Sequence, residues 1–184
     1  GNLSFTSINL PRIAILAAGN EKKFYKMLDE RLELVAQQLL DRFEIQGAKH
    51  VYNYPFLMGQ GVWLDSDKLG PNDNVREVLT HGSLSIGFIG LAETLTALYG
   101  HHHGDDKAAE LHLNFGLLAT PAEGLSGRFV RMDRERFGEI KNVTDREYYT
   151  NSFHIPVWYP ISAYDKINTE APYHALTNAG HISY

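Results

Sequence analysis

An α/β fold is predicted, and three observations predict it. A strand-like stretch at residues 3–9 precedes a long amphipathic helix. The apolar run at 82–89 passes directly into a helical pattern. A third apolar stretch, at 111–119, ends in Thr120-Pro121, a dipeptide suited to a helix start. Strands that alternate with helices pack as a largely parallel sheet, because parallel neighbours need helix-length crossovers between them.

The first strand should close at Pro11, which has no N–H to give to a ladder. Asn9, just before it, reads as a turn former. Asn20 suits an N-cap and Glu21 a first turn. Phe24, Leu28, Leu32, Val35, Leu39 and Phe43 then recur at spacings of three and four, one apolar stripe on a helix ending near Gly47. At 1.5 Å per residue that helix is about 40 Å long, a length suited to flanking a large sheet or barrel. Residues 50–74 are loop-rich, with aromatics among Gly and Pro. The run from Gly82 to Glu93 predicts a buried strand feeding a helix to about Tyr99. A helical stub is expected at 105–111, and further strands at 111–119, 150–157 and 177–184. With no internal repeat and no low-complexity linker, residues 1–184 read as a single segment.

Composition narrows the function. The 184 residues are 43% hydrophobic and 21% charged, a balance that supports a packed core. A net charge of −5 argues against general affinity for nucleic acid or anionic membrane. There is no cysteine, which excludes disulfides, thiolate metal sites and a thiol nucleophile within these residues. The longest apolar run, 84–92, is broken by Ser85, Gly87 and Gly90 and is too short to span a bilayer. No signal-peptide pattern opens the chain, so a cytoplasmic protein is the default expectation. Gly1 in place of an initiator Met, and an end at Tyr184 within an apparent strand, suggest excision from a longer protein or processed ends.

Few motifs carry chemistry on spacing alone. Thr120-Pro121-Ala122-Glu123-Gly124-Leu125-Ser126-Gly127 follows an apolar strand. A strand, tight turn and helix start gather free N–H groups that can hold a phosphate. The same residues also make a plain turn with Thr120 as N-cap, and spacing alone favours that reading. His101, His102 and His103 follow a helix and point in different directions, so a solvated loop is expected rather than a metal site. The remaining histidines show no HExxH-like spacing. Asn9, Asn151, Ser152, His154 and His181 lie at or beside strand ends, where α/β enzymes gather their chemistry.

Five ordered segments resemble anaerobic (class III) ribonucleotide reductases: residues 2–12, 82–93, 117–129, 149–157 and 176–184. The resemblance implies a glycyl-radical enzyme that reduces ribonucleoside triphosphates without oxygen. Its catalytic domain is a ten-stranded α/β barrel around a loop bearing a thiyl-radical cysteine. This chain matches part of that barrel, without the cysteine loop, the C-terminal glycyl-radical and four-cysteine metal regions, or the N-terminal ATP-cone. Where the family has a longer helical insertion after Gly104-Asp105-Asp106, only a stub at 105–111 stands here, either a naturally short helix or the remnant of a stretch missing from this sequence.

Carried over by residue, the resemblance implies that Asn9 is an active-site asparagine near the ribose. It implies that Thr120, Pro121, Ala122, Glu123 and Gly124, with Leu125 and Ser126, receive the substrate phosphates. Asn151, Ser152 and His154 are further cavity residues, and His181 lines the approach to the glycyl-radical loop. Agreement of the two readings at the turn shifts the preference there toward phosphate binding. No cofactor is expected in this chain. For the whole protein the resemblance implies a glycyl radical installed by an S-adenosylmethionine iron–sulfur activase, ATP or dNTP effectors, and a zinc site outside this segment. A homodimer is also expected. The alternatives are a stand-alone nucleotide-binding module without radical chemistry, and a pyruvate formate-lyase-like glycyl-radical enzyme.

Overall fold

Two strands, each followed directly by a helix, form the recurring unit of the computed structural model, which describes residues 1–105 and 123–176. Strand β1 (Asn2–Asn9) runs into α1 (Leu10–Ala17), and β2 (Ser83–Ile89) runs into α4 (Leu91–Tyr99). β1 and β2 pair with each other. Ser83 donates its N–H to the Gly1 carbonyl at the start of both strands, and Gly90 abuts Pro11 just past the end of both. The strands are therefore parallel, in keeping with the predicted α/β class. The expected strands at 111–119 and 177–184, and nearly all of the stub at 105–111, lie outside the described residues.

The remaining helices are α2 (Glu21–Gly47), α3 (Arg76–Leu79), α5 (Glu123–Phe137) and α6 (Ala163–Glu170), with short 3-10 turns at Val51–Asn53, Ser66–Lys68 and Ala171–Leu176. The structure divides into two compact units, Gly1–Phe5 with Glu33–Ser85, and Thr6–Leu32 with Ile86–Tyr184.

In the first unit the loop-rich stretch closes over its own core. Val51, Met58, Val75, Val78 and Leu79 are buried, with Leu3, Phe43, Tyr54 and Trp63 packed against them. The Trp63 indole N–H reaches the Val78 carbonyl at 2.7 Å, so the ring is half-buried with its donor satisfied. Arg76 pairs with Glu44 and lies over the Phe43 ring.

In the second unit α1 packs on α4. Leu10, Ile13, Ala14 and Ala17 on one helix, and Leu91, Ala92 and Leu95 on the other, are buried. A further cluster joins Ile89, Val130, Val143 and Tyr149, with Leu125 and Phe129 of α5 against it. The Asn20 side chain accepts from the Lys23 N–H at 2.9 Å, the expected cap of α2, and Phe24 and Leu28 of its stripe are buried.

Three expectations require correction. Pro11 ends β1 and also occupies the first turn of α1, where its missing N–H costs nothing. Asn9 is thus the N-cap of a helix rather than a plain turn former, its side chain accepting from the Arg12 N–H at 3.2 Å. Residues 150–157 form no strand. Asn151 makes one isolated antiparallel bridge to Ile89, and Ser152 then turns with φ of 42°, in the left-handed region that breaks a ladder. Finally, His102 and His103 are buried rather than solvated.

Candidate functional site

Every residue of the candidate site that the structure describes belongs to the second unit. Its frame is the junction where β2 meets α4. A helix start leaves several N–H groups unpaired. Here the Gly90 N–H is taken by the Thr150 carbonyl at 2.7 Å and the Leu91 N–H by the Ser152 carbonyl at 3.1 Å. In return, Glu93 Oε1 accepts from the Thr150 N–H at 2.8 Å and from its hydroxyl at 2.6 Å. Burial pushes the Glu93 carboxyl above its usual range, against the pull of those bonds. Residues 150–152 are therefore fastened to the end of β2 and the start of α4 by backbone and side chain together.

Residues of the 147–157 stretch and of α5 line a half-open cavity of about 440 Å³. Ser126, near the start of α5, lines it together with Asn151 and His154, so three of the predicted residues meet on one cavity. Tyr149 and Glu147 lie on the same wall. Other predicted residues are placed differently. Leu125 packs into the cluster of Ile89, Val130, Val143 and Tyr149. Ser152 is fully buried, and its hydroxyl finds no partner among the described residues. Glu123 and Gly124 open α5. Thr120, Pro121, Ala122 and His181 lie outside the described residues.

His154 is held from behind. Its Nδ1 lies 3.2 Å from Glu170 Oε2, while Glu170 Oε1 accepts from the Ile155 N–H at 2.9 Å. Lys166, one turn earlier on α6, stands 3.7 Å from the same oxygen. Burial would raise the Glu170 carboxyl. The bonds from His154 and Ile155, with the charges of His154 and Lys166, outweigh it and hold the group at about 2. His103, beside this cluster, points Nε2 at the Phe153 carbonyl at 2.8 Å. Burial carries its pKa down to about 4.

Asn9 is tied to the cavity wall through a residue that sequence reasoning missed. Asp133, fully buried on α5, accepts from Asn9 Nδ2 at 2.8 Å, from the Tyr149 hydroxyl at 2.9 Å and from Arg12 Nε at 2.5 Å. Burial first, and the nearby Asp133 second, push the Tyr149 hydroxyl well above its usual range, so it stays a donor. In the sequence, Asp133 belongs to the charged run Asp133-Arg134-Glu135-Arg136, which reads as a solvated helix face. Glu93 and Glu170 were missed for a similar reason. A lone acid inside a helix gives no sequence signal of burial. Among the described residues no group of three or more His, Cys, Asp or Glu side chains is arranged to hold a metal ion, and no helix is long and apolar enough to cross a membrane.

Comparison with known proteins covers the whole chain. A sequence model of the family described as anaerobic ribonucleoside-triphosphate reductase matches residues 1–113 and 107–184. The two matched pieces meet where the sequence reading finds the shortened insertion. The protein of that name from Escherichia coli (strain K12) is 39% identical over 207 residues, covering 100% of this chain and 29% of that protein. The one from Enterobacteria phage T4 is 38% identical over 201 residues, covering 100% of this chain and 33% of its own length. The one from Haemophilus influenzae (strain ATCC 51907 / DSM 11121 / KW20 / Rd) is 37% identical over 206 residues, covering 100% and 29%. The chain thus spans about a third of the length of these relatives.

Proposed function

Because the chain belongs to the anaerobic ribonucleoside-triphosphate reductase family, we propose that it forms part of a catalytic barrel that positions a ribonucleoside triphosphate for reduction to the deoxyribonucleotide. The observation that carries this reading is the meeting of Ser126, Asn151 and His154 on one cavity. Asn9 is linked to the wall of that cavity through Asp133 and Tyr149.

In this reading the start of α5, with Thr120 to Ser126, receives the phosphates. The N–H groups and dipole of a helix start favour an anion, and Ser126 lines the cavity beside that start. His154, steadied by Glu170, shapes the cavity wall beside the same ligand. Asn9 hydrogen-bonds the ribose region. The family's glycyl radical would supply the one-electron chemistry by way of a cysteine thiyl radical. With no cysteine in its 184 residues, this chain has no thiol for that step, and its own part is to hold the sugar still and keep water from it. As part of the same proposal, the full-length protein is a homodimer, receives its radical from an S-adenosylmethionine iron–sulfur activase, and binds zinc and ATP or dNTP effectors outside this segment.

The test is kinetic, in the full-length protein. Asn9→Ala should lower kcat about tenfold or more with little change in KM, because it acts on the reacting sugar. Ser126→Ala should raise KM several-fold with a smaller effect on kcat. Wild-type constants in both variants would overturn the assignment.

A further inference from the structure

We propose that Asp133 is a positioning residue for Asn9, its buried carboxylate fixing the asparagine amide in one orientation and so deciding which polar groups it turns toward the ligand. The inference rests on the reading of Asn9 given above. An asparagine amide has two ends of nearly equal shape and opposite hydrogen-bonding character, and a free amide exchanges them readily. Two neighbours remove that freedom here. The Asp133 carboxylate, with Arg12 as its counter-charge, can only accept, so Nδ2 must face it, at 2.8 Å. The backbone N–H of Arg12 can only donate, so Oδ1 must face it, at 3.2 Å. Both constraints select the same orientation. They leave Asn9 with one N–H and one oxygen lone pair for a ligand.

The carboxylate is itself held from several sides. Its Oδ2 accepts from Asn9 and from Tyr149, and its Oδ1 from Arg12 Nε. These donors come from the cap of α1, from α1 itself and from the segment lining the cavity, so the position of Asn9 is coupled to the cavity wall. Asparagine at position 133 fits the same space but breaks the pattern. Its NH2 group must face either Arg12 Nε or the pair Asn9 and Tyr149, setting donor against donor. If the second arrangement is taken, the Asn9 amide is driven to turn over.

The experiment is a double-mutant cycle in the full-length protein, with kcat, KM and thermal unfolding measured for each variant. Asp133→Asn should lower kcat roughly tenfold to hundredfold, the loss expected when a positioning group is displaced by about an ångström. KM should change little. In an Asn9→Ala background the same substitution should cost almost no further kcat, since the group it positions is gone. Equal losses in both backgrounds, or unchanged kcat in Asp133→Asn, would overturn the proposal. Should Asp133→Asn fail to fold, Tyr149→Phe gives a second cycle. It fills the same space, removes one donor from the same carboxylate oxygen, and should likewise be non-additive with Asn9→Ala in kcat, additivity there counting against the proposal. If Asn9→Ala alone keeps wild-type turnover, the role of Asn9 fails. If Asn9→Ala is impaired while Asp133 acts independently of it, only the present inference fails.

Discussion

At the scale of single residues, the second unit stores pH sensitivity in two buried groups. A carbonyl can only accept, so the contact to Phe153 puts the His103 proton on Nε2, leaving Nδ1 buried and without a partner among the described residues. Burial, first among its causes, keeps the ring neutral down to about pH 4. An unfolded histidine binds its proton near its ordinary value of about 6.5. Between those values the unfolded chain holds more protons, so stability present above pH 6.5 is lost as pH falls toward 4. Glu170 behaves in the same direction over a lower window. Its folded value of about 2 lies below the ordinary 4.5, so its contribution is full above 4.5 and disappears as pH falls through 2. Each shift corresponds to about 3 kcal/mol at most. Acid destabilisation should therefore begin below pH 6.5, before carboxylates protonate. His103→Gln, which keeps an N–H for Phe153, should flatten the decline between pH 6.5 and 4.5 in denaturant unfolding while leaving the lower window intact. An unaltered slope in that variant would remove His103 from the account.

At the scale of elements, the junction after β2 depends on Gly90. Its φ of 84° lies in the left-handed region, and a Cβ there would stand 2.4 Å from Pro11 Cγ. Gly90→Ala therefore meets both backbone strain and a clash, and should destabilise the protein by about 2 kcal/mol or more. Pairing it with Pro11→Ala should relieve the clash but not the strain, so thermal unfolding should recover only in part. Full recovery would show that φ contributes nothing there. This junction also marks how far elements were legible. α2 was readable because its information is local: the Asn20 cap and the three-and-four spacing lie along one helix. The β2–α4 unit was readable as an apolar run followed by a helical pattern. The segment 150–157 misled because Thr150, Phe153, Ile155 and Val157 have strand propensity. Their fate was set by Glu93 and the α4 N-terminus, some sixty residues away. Helix α1 was hidden by Pro11, read as an end when it is equally a beginning, and α6 gave no signal strong enough to single out.

For the whole molecule, the site divides along the same line. Ser126, Asn151 and His154 were named from resemblance, and the structure brings them to one cavity. Asp133, Glu93 and Glu170, which hold that cavity and Asn9 in place, were invisible because burial of a lone acid is a tertiary property. The chain also spans only about a third of its relatives' length and contains no cysteine. If the radical thiol and much of the pocket belong to the rest of the protein, these residues should retain positioning without chemistry. The isolated 184 residues should then release no deoxyribonucleotide from any ribonucleoside triphosphate, even with activase and reductant supplied. They should bind nucleotide, measured calorimetrically, more weakly than the full-length protein does. On the proposed roles, Ser126→Ala should weaken that residual binding further, whereas Asn9→Ala should leave it nearly unchanged, because a phosphate contact at Ser126 would dominate affinity while a ribose contact at Asn9 would act on turnover. Turnover by the isolated chain would refute the division of labour outright. Residual binding that responds to Asn9 but not to Ser126 would reverse the roles assigned to the two ends of the site.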